Sequence, residues 1–205
     1  MVRKTTAPAQ LHVLAGVNGA GKSSIVGATI RDKRGKYYNP DEAAREIMVA
    51  NPGLGQAEAN AAAWEQGRKL LERAIDQGLD FTFETTLGGN TIPRLLAEAA
   101  KRGVEVHVFY VGLASAEAHI ERVRQRVNAG GHDISEADIR RRYSHSLINL
   151  VILLPVLTEL RVYDNSTTAD PATGKAPQPI LVLHMQRGRI VGPSDLTSTP
   201  NWAKP

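Results

Sequence analysis

The sequence predicts an α/β fold, a central and mostly parallel sheet with helices on both faces, from three observations. Apolar runs of strand length alternate with segments of helical period, which is the pattern of a covered parallel sheet. The first run, Leu11 to Ala15, feeds a glycine-rich turn and then a helical pattern. Polar residues stand where the later strands end, and ligands of such sheets sit at the carboxyl ends of strands.

Taken in order, the strand at 11–15 leads to a helix over 22 to about 31, and Tyr37-Tyr38 forms a short second strand. Pro40 biases Asn39 away from helix while Asp41 and Glu42 favour a first turn, so a helix starts there. "NPGLGQ" at 51–56 breaks the chain. Residues 57–78 read as a helix ended by Gly78, with Trp64, Leu71 and Ile75 on one face expected to pack into the core. "DFTFETT" at 80–86 is a buried-type strand carrying Glu84 at its end, 92–103 a helix closed by Gly103, and 104–113 the clearest strand of the chain. A helix over about 115–128 follows, then the loop "HDIS", then a long helix capped by Ser135 that Pro155 kinks or ends. Residues 161–166 form another strand and 180–192 a closing hairpin around Arg187-Gly188. The proline-bearing stretch at 166–179 reads as a surface loop. One domain, 1–192, is therefore expected, with a loose tail at 193–205.

Composition narrows the class. A chain of 205 residues suits one sizeable α/β domain, and 42% hydrophobic with 22% charged residues is ordinary globular usage. The net charge of +4 suits an anionic ligand, yet it is too mixed to argue nucleic acid by itself. Cysteine is absent, which excludes disulfides and thiolate zinc sites and agrees with a cytoplasmic enzyme. The longest apolar run, "LVILLPVL", is far short of a membrane span, and the basic start lacks the apolar core of a signal peptide, so no membrane partner is expected.

The turn after the first strand, "GVNGAGKSS", matches the P-loop pattern in its required context of strand before and helix after. Gly16, Asn18, Gly19, Ala20, Gly21 and Ser24 form a loop whose backbone N–H groups, with the helix dipole, suit a phosphate chain. Lys22 reaches the β and γ phosphates, and the Ser23 hydroxyl completes the shell of a Mg²⁺ ion. The fold class sharpens to a three-layer P-loop NTPase sandwich. Switches, motors and kinases share this loop, so the fate of the phosphate needs other residues.

Asp41 and Glu84 stand at strand exits, where a carboxylate can accept or orient the proton of an attacking hydroxyl; a helix cap and a metal-shell carboxylate are the blander roles. Six arginines, at 122, 124, 126, 140, 141 and 142, bracket "NAGGHDIS". Two arginine-bearing helices joined by a glycine turn form a lid, about 122–142, able to bring charge over a transferring phosphoryl group. Arg126 and Arg142, one on each side of the turn, are the candidates, with the others solvated. His132 is a hinge or a substrate contact, and no second ligand at helical spacing suggests a metal.

"AGVNGAGKSS", "YYNPDEAAR", "FTFETTL" and "RVRQRVNAGGHDISEADIRRRYSHSLINL" together resemble the zeta-toxin-like P-loop kinases, in particular their short "predicted ATPase" branch, over about residues 11–150. The resemblance implies a kinase that uses ATP and Mg²⁺ to phosphorylate the 3′-hydroxyl of the sugar in UDP-N-acetylglucosamine or a related nucleotide sugar. It also implies the toxin of a toxin–antitoxin pair, with an antitoxin protein as partner. By carry-over Asp41 is the general base and Lys22 the P-loop lysine. Asn39, Glu84, Thr85 and His132 fall on the substrate side, Arg126 and Arg142 contact the γ-phosphate, and Asn165 lies near the adenine. Two other readings stand beside it. A P-loop NTPase without a small-molecule acceptor would be favoured by an Asp ending an apolar strand, and "VHVFYVGL" holds none. A kinase acting on nucleic acid ends is allowed by the basic balance, but 5% aromatic content gives no basic strip for stacking bases.

Overall fold

The strand that precedes the glycine turn is buried on both faces, as expected of the middle of a sheet: Leu11, Val13, Leu14 and Ala15 are fully enclosed and His12 nearly so. The structure is a computed structural model in which residues 7–22, 37–167 and 178–204 are described. Among these, the strands are β1 (Gln10–Ala15), β2 (Tyr37–Tyr38), β3 (Phe81–Thr85), β4 (Glu105–Gly112), β5 (Glu159–Asp164), β6 (Ile180–Gln186) and β7 (Arg189–Gly192). They form one sheet in the order β2-β3-β1-β4-β5-β6-β7. β1 to β5 run parallel, and β6 and β7 close the edge as an antiparallel hairpin.

The helices described are α1 (Pro40–Ala50), α2 (Gln56–Gln77), α3 (Thr91–Lys101), α4 (Ala116–Asn128) and α5 (Glu136–Leu153). Local chemistry sets their ends. Asn39 caps α1 by accepting from the amides of Asp41 and Glu42, with Pro40 at the first helical position. Gly78 ends α2 in the left-handed conformation, and Ser115 and Ser135 cap α4 and α5. Pro155 ends α5, which passes into a 3₁₀ turn at Leu154–Val156.

One face of the sheet carries the main core. Leu71, Ala74 and Ile75 of α2, Leu95, Leu96 and Ala99 of α3, and Leu150 and Leu153 of α5 pack with Val13 of β1 and Val108 and Tyr110 of β4. On the other face Leu14, Val111 and Ala20 form a smaller cluster; the helix expected at 22–31 lies outside the described residues beyond Lys22. A third cluster joins Val17 of the glycine turn to Ile120 and Val123 of α4 and Ile139 of α5, so the lid helices are rooted on the loop they would cover. No helix among the described residues is long and apolar enough to cross a membrane.

Two expectations are corrected. Of the face Trp64, Leu71 and Ile75, only the last two enter the core; Trp64 is 46% exposed, because the first half of α2 turns Ala59 and Ala63 inward, onto Ala43 and Ala44 of α1. The tail is packed, not loose: Thr199 is buried with its Oγ1 donating to the Val182 carbonyl at 3.1 Å, and the Trp202 ring lies on Gly112 and Tyr110. An isolated indole in a polar tail gives no periodicity from which such docking could be read.

Candidate active site

The P-loop turn is held tightly against its sheet. Gly16 has φ +143°, and a Cβ there would sit 2.2 Å from the Val111 carbonyl oxygen, so only glycine passes. Its amide donates to the Thr85 carbonyl at 3.2 Å, which ties the loop to the exit of β3. Asn18 is buried; its carbonyl accepts from His119 Nδ1 at 2.9 Å and its Oδ1 from Arg142 Nη1 at 2.7 Å. Burial pushes the His119 pKa down to about 4, helped by the nearby Lys22 and Arg122 charges and opposed by that hydrogen bond. The imidazole is therefore a neutral strut under the loop.

Lys22 donates from Nζ to the Gly16 carbonyl at 2.7 Å, so its ammonium lies back over its own loop. Desolvation lowers its pKa, Glu84 and Asp41 raise it, and Arg126 and Arg142 lower it again. The groups expected to serve phosphoryl transfer thus share one electrostatic neighbourhood.

Beside the loop lies a cleft of about 620 Å³, lined from the loop by Asn18 and Lys22, from the strand exits by Asn39, Asp41, Glu84 and Thr85, and from the lid by His132 and Arg142. Asn39 bonds both ways: Oδ1 caps α1, and Nδ2 donates to Glu84 Oε1 at 3.2 Å. Tyr37 donates its hydroxyl to the same oxygen. Glu84, 6% exposed, is thereby fixed, while Asp41 stays exposed at the cleft. Thr85 accepts from the Leu87 amide at 3.1 Å, and Asn149 donates to the Leu87 and Gly89 carbonyls, so the loop after β3 is pinned from within. That loop also sets Arg142: a Cβ on Gly88 would meet the Arg142 side chain at 2.8 Å and its backbone Cα at 3.1 Å.

The lid arginines divide. Arg124 and Arg140 pair with Glu136 and Glu117 across the two lid helices, and Arg141 pairs with Asp138 at 2.5 Å. Arg126 turns inward on the glycine turn, donating to the His132 carbonyl at 2.9 Å, and is not among the residues lining the cleft. Arg122 reaches the other side of the P-loop, to the carbonyls of Asn165 and Thr167. Asn165 stands there too, donating from Nδ2 to the Ala20 carbonyl at 2.8 Å, away from the cleft. Ser23 and Ser24 lie outside the described residues.

Sequence reasoning missed part of the lining. Asn60, Trp64 and Arg68 of α2, with Tyr38 and the residues 86–92, form the far wall. Their spacing of four along α2 was a helical face visible in the sequence, but which side of a helix meets a cleft depends on where the sheet ends.

Known proteins bear on this geometry. The profile of the zeta toxin family matches residues 3–170. The chain belongs to the zeta toxin family. An uncharacterized protein of Haemophilus influenzae is 34% identical over 131 residues, 62% of this chain and 88% of that protein. Among solved structures, AvrRxo1-ORF1 in complex with AvrRxo1-ORF2 and sulphate aligns with TM-score 0.64 at 14% identity, over 91% of this chain and 61% of that one. The same complex with ATP aligns with TM-score 0.62 at 13% identity, over 91% and 60%. The PezAT toxin–antitoxin system of Streptococcus pneumoniae aligns with TM-score 0.52 at 15% identity, over 80% and 72%. The chain thus spans about three fifths of the AvrRxo1-ORF1 chain, and at these identities the likeness shows the fold alone.

Proposed function

We propose that this zeta toxin family member is an ATP- and Mg²⁺-dependent phosphotransferase acting on a sugar hydroxyl of a nucleotide sugar such as UDP-N-acetylglucosamine, with Asp41 as general base. One observation carries the reading: Asp41, Glu84, Lys22 and Arg142 line a single cleft of about 620 Å³ beside the phosphate loop. That volume suits a whole small-molecule acceptor, where hydrolysis would need room only for water.

In this reading the loop amides and Lys22, released from the Gly16 carbonyl, hold the β and γ phosphates. Asp41 takes the proton of the attacking hydroxyl, whose oxygen bonds to the γ phosphorus as the bond to the β-bridging oxygen breaks and its electron pair leaves with ADP. Glu84 and Thr85 position the sugar, and Arg142 offsets charge on the transferring group. The donor set suits magnesium: no group of three or more His, Asp or Glu that could hold a metal occurs among the described residues, and Mg²⁺ keeps mostly water and phosphate ligands beside the expected Ser23 hydroxyl. When bound, the ion would neutralise phosphate charge. A cytoplasmic setting, and an antitoxin partner by analogy with PezAT, belong to the same reading.

The test is a mass-spectrometric screen of purified protein with ATP and Mg²⁺ against a panel of nucleotide sugars. One added phosphate on UDP-N-acetylglucosamine, absent with Asp41→Asn, is expected. ADP release with no phosphorylated acceptor would overturn the reading in favour of a bare NTPase.

A further inference from the structure

Arg142, Ser146 and Asn149 follow one another at helical spacing along one face of α5. Each holds a different part of the molecule. Arg142 Nη1 donates to Asn18 Oδ1 of the glycine turn at 2.7 Å, and the buried Ser146 shares a hydrogen bond of 3.0 Å with the Tyr110 hydroxyl of β4. Asn149, 8% exposed, uses both hydrogens of Nδ2 on the loop after β3, donating to the Leu87 carbonyl at 2.6 Å and to the Gly89 carbonyl at 3.1 Å.

Those two carbonyls flank Gly88, so Asn149 sets where that glycine stands. Gly88 in turn lies against the root of Arg142: a Cβ on it would meet Arg142 Cγ at 2.8 Å, Cβ at 2.9 Å and Cα at 3.1 Å. The loop is thereby wedged between two residues of one helix face. Its backbone is also held where it would not rest unaided, since the buried Leu87 has φ +53°, a left-handed conformation that persists only where its surroundings over-determine it. Thr85 Oγ1 and Thr86 Oγ1 add to that hold, accepting from the Leu87 and Gly88 amides at 3.1 and 3.3 Å. Residues 86–91 line the cleft, as do Asn18 and Arg142, whereas Asn149 stands behind them and is not among the lining residues.

We infer that Asn149 is a positioning residue for phosphoryl transfer, keeping Gly88 against Arg142 so that an acceptor seated on residues 86–91 also sets the guanidinium. The inference rests on the acceptor reading of the cleft above and deepens it. A ligand that presses on the loop bears on Gly88, Gly88 bears on the root of Arg142, and Arg142 bears on Asn18 of the phosphate loop. Acceptor and arginine therefore take up their places together. Without the Asn149 amide two loop carbonyls lose their donor, the wedge loosens, and each of the two is placed alone. A misplacement of about 1 Å from a residue outside the chemistry is enough to slow transfer.

The experiment is steady-state kinetics with ATP, Mg²⁺ and UDP-N-acetylglucosamine on the unaltered protein, Asn149→Asp, Arg142→Ala and the double variant. Asn149→Asp keeps the side chain's shape but turns a carboxylate oxygen on the two carbonyls. It is expected to raise the KM for UDP-N-acetylglucosamine and to lower kcat, about tenfold each, with the affinity for ATP unchanged. In the Arg142→Ala background the same substitution should still raise that KM but lower kcat no further, because its effect on kcat runs through the arginine. ATP affinity falling in step with the acceptor's, or kcat losses that multiply in the double variant, would overturn the inference, since Asn149 would then only support the fold. Hydrogen exchange of the unaltered protein keeps the test decisive if Asn149→Asp does not fold. UDP-N-acetylglucosamine added without nucleotide should slow exchange at the amides of 86–91 and also along 139–146 of α5; protection confined to 86–91 overturns the inference. If UDP-N-acetylglucosamine neither binds nor is phosphorylated, the acceptor reading falls and the inference with it, an outcome told apart by the absence of any binding.

Discussion

The two sides of the P-loop are built differently. On the β4 and β5 side, Asn165 is buried and the half-buried Arg122, Ser166 and Trp202 are each bonded to backbone groups or a carboxylate. On the β3 and β2 side a cleft of about 620 Å³ stays open, with Asp41 exposed on it and Trp64 46% exposed on its far wall. The difference fits a division of labour under the function proposed above, in which the nucleotide side would be preorganised by hydrogen bonds among its own residues and the acceptor side would keep room for a varied ligand. Glu84 and Asn39 are the exception on the open side, locked to each other so that the carboxylate is fixed before an acceptor arrives.

The comparison can be broken most sharply at Asp41. Asp41→Asn is expected to lower kcat by about 10²- to 10⁴-fold while nucleotide affinity stays within error, as for loss of a general base. A calorimetric titration showing lost ATP binding would move Asp41 to the nucleotide side.

Acid stability tests the closed side. The unfolded chain protonates His119 below its usual pKa of about 6.5, whereas the folded chain does so only near 4. Between those values the unfolded state binds more protons, so stability is complete above pH 6.5 and falls as the pH drops toward 4, by ~3 kcal/mol in all. His119→Gln should flatten that limb in denaturant titrations run at stepped pH; an unchanged slope would mean the histidine is not the group that titrates.

Gly88→Ala sharpens the boundary between the two sides. Its Cβ would meet the root of the Arg142 side chain and so shift both that residue and its bond to Asn18, and about a tenfold loss of kcat together with a fall in melting temperature is expected. An unchanged kcat beside a lowered melting temperature would assign Gly88 to packing alone. The smallest effect belongs to the far wall: Trp64→Ala should raise the acceptor's KM by roughly threefold to tenfold, about the worth of one apolar contact, and leave the KM for ATP alone. A change confined to ATP would erase the proposed division.

Much of this was legible along the chain because it is local. The glycine turn, the Asn39-Pro40 start of α1, the Ser115 and Ser135 caps and the alternation in β4 each depend on neighbours a few residues away. Asp41, Glu84 and Arg142 could be nominated because strand exits and a bracketed glycine turn are sequence features. Trp64 and Trp202 could not be placed, since one depends on which face of α2 meets α1 and the other on a gap left by Gly112 some ninety positions earlier.

By itself, then, the sequence determined the order of strands and helices, the phosphate loop and the residue types gathered at the strand ends, all consequences of backbone propensity and apolar period. Only the tertiary structure decided what each lid arginine meets. Arg124, Arg140 and Arg141 found carboxylates across or along the lid, Arg126 found a carbonyl in its own turn, and Arg142 was pressed by Gly88 onto Asn18. Five chemically identical side chains were sorted by what stood within reach, and reach is a property of the folded chain.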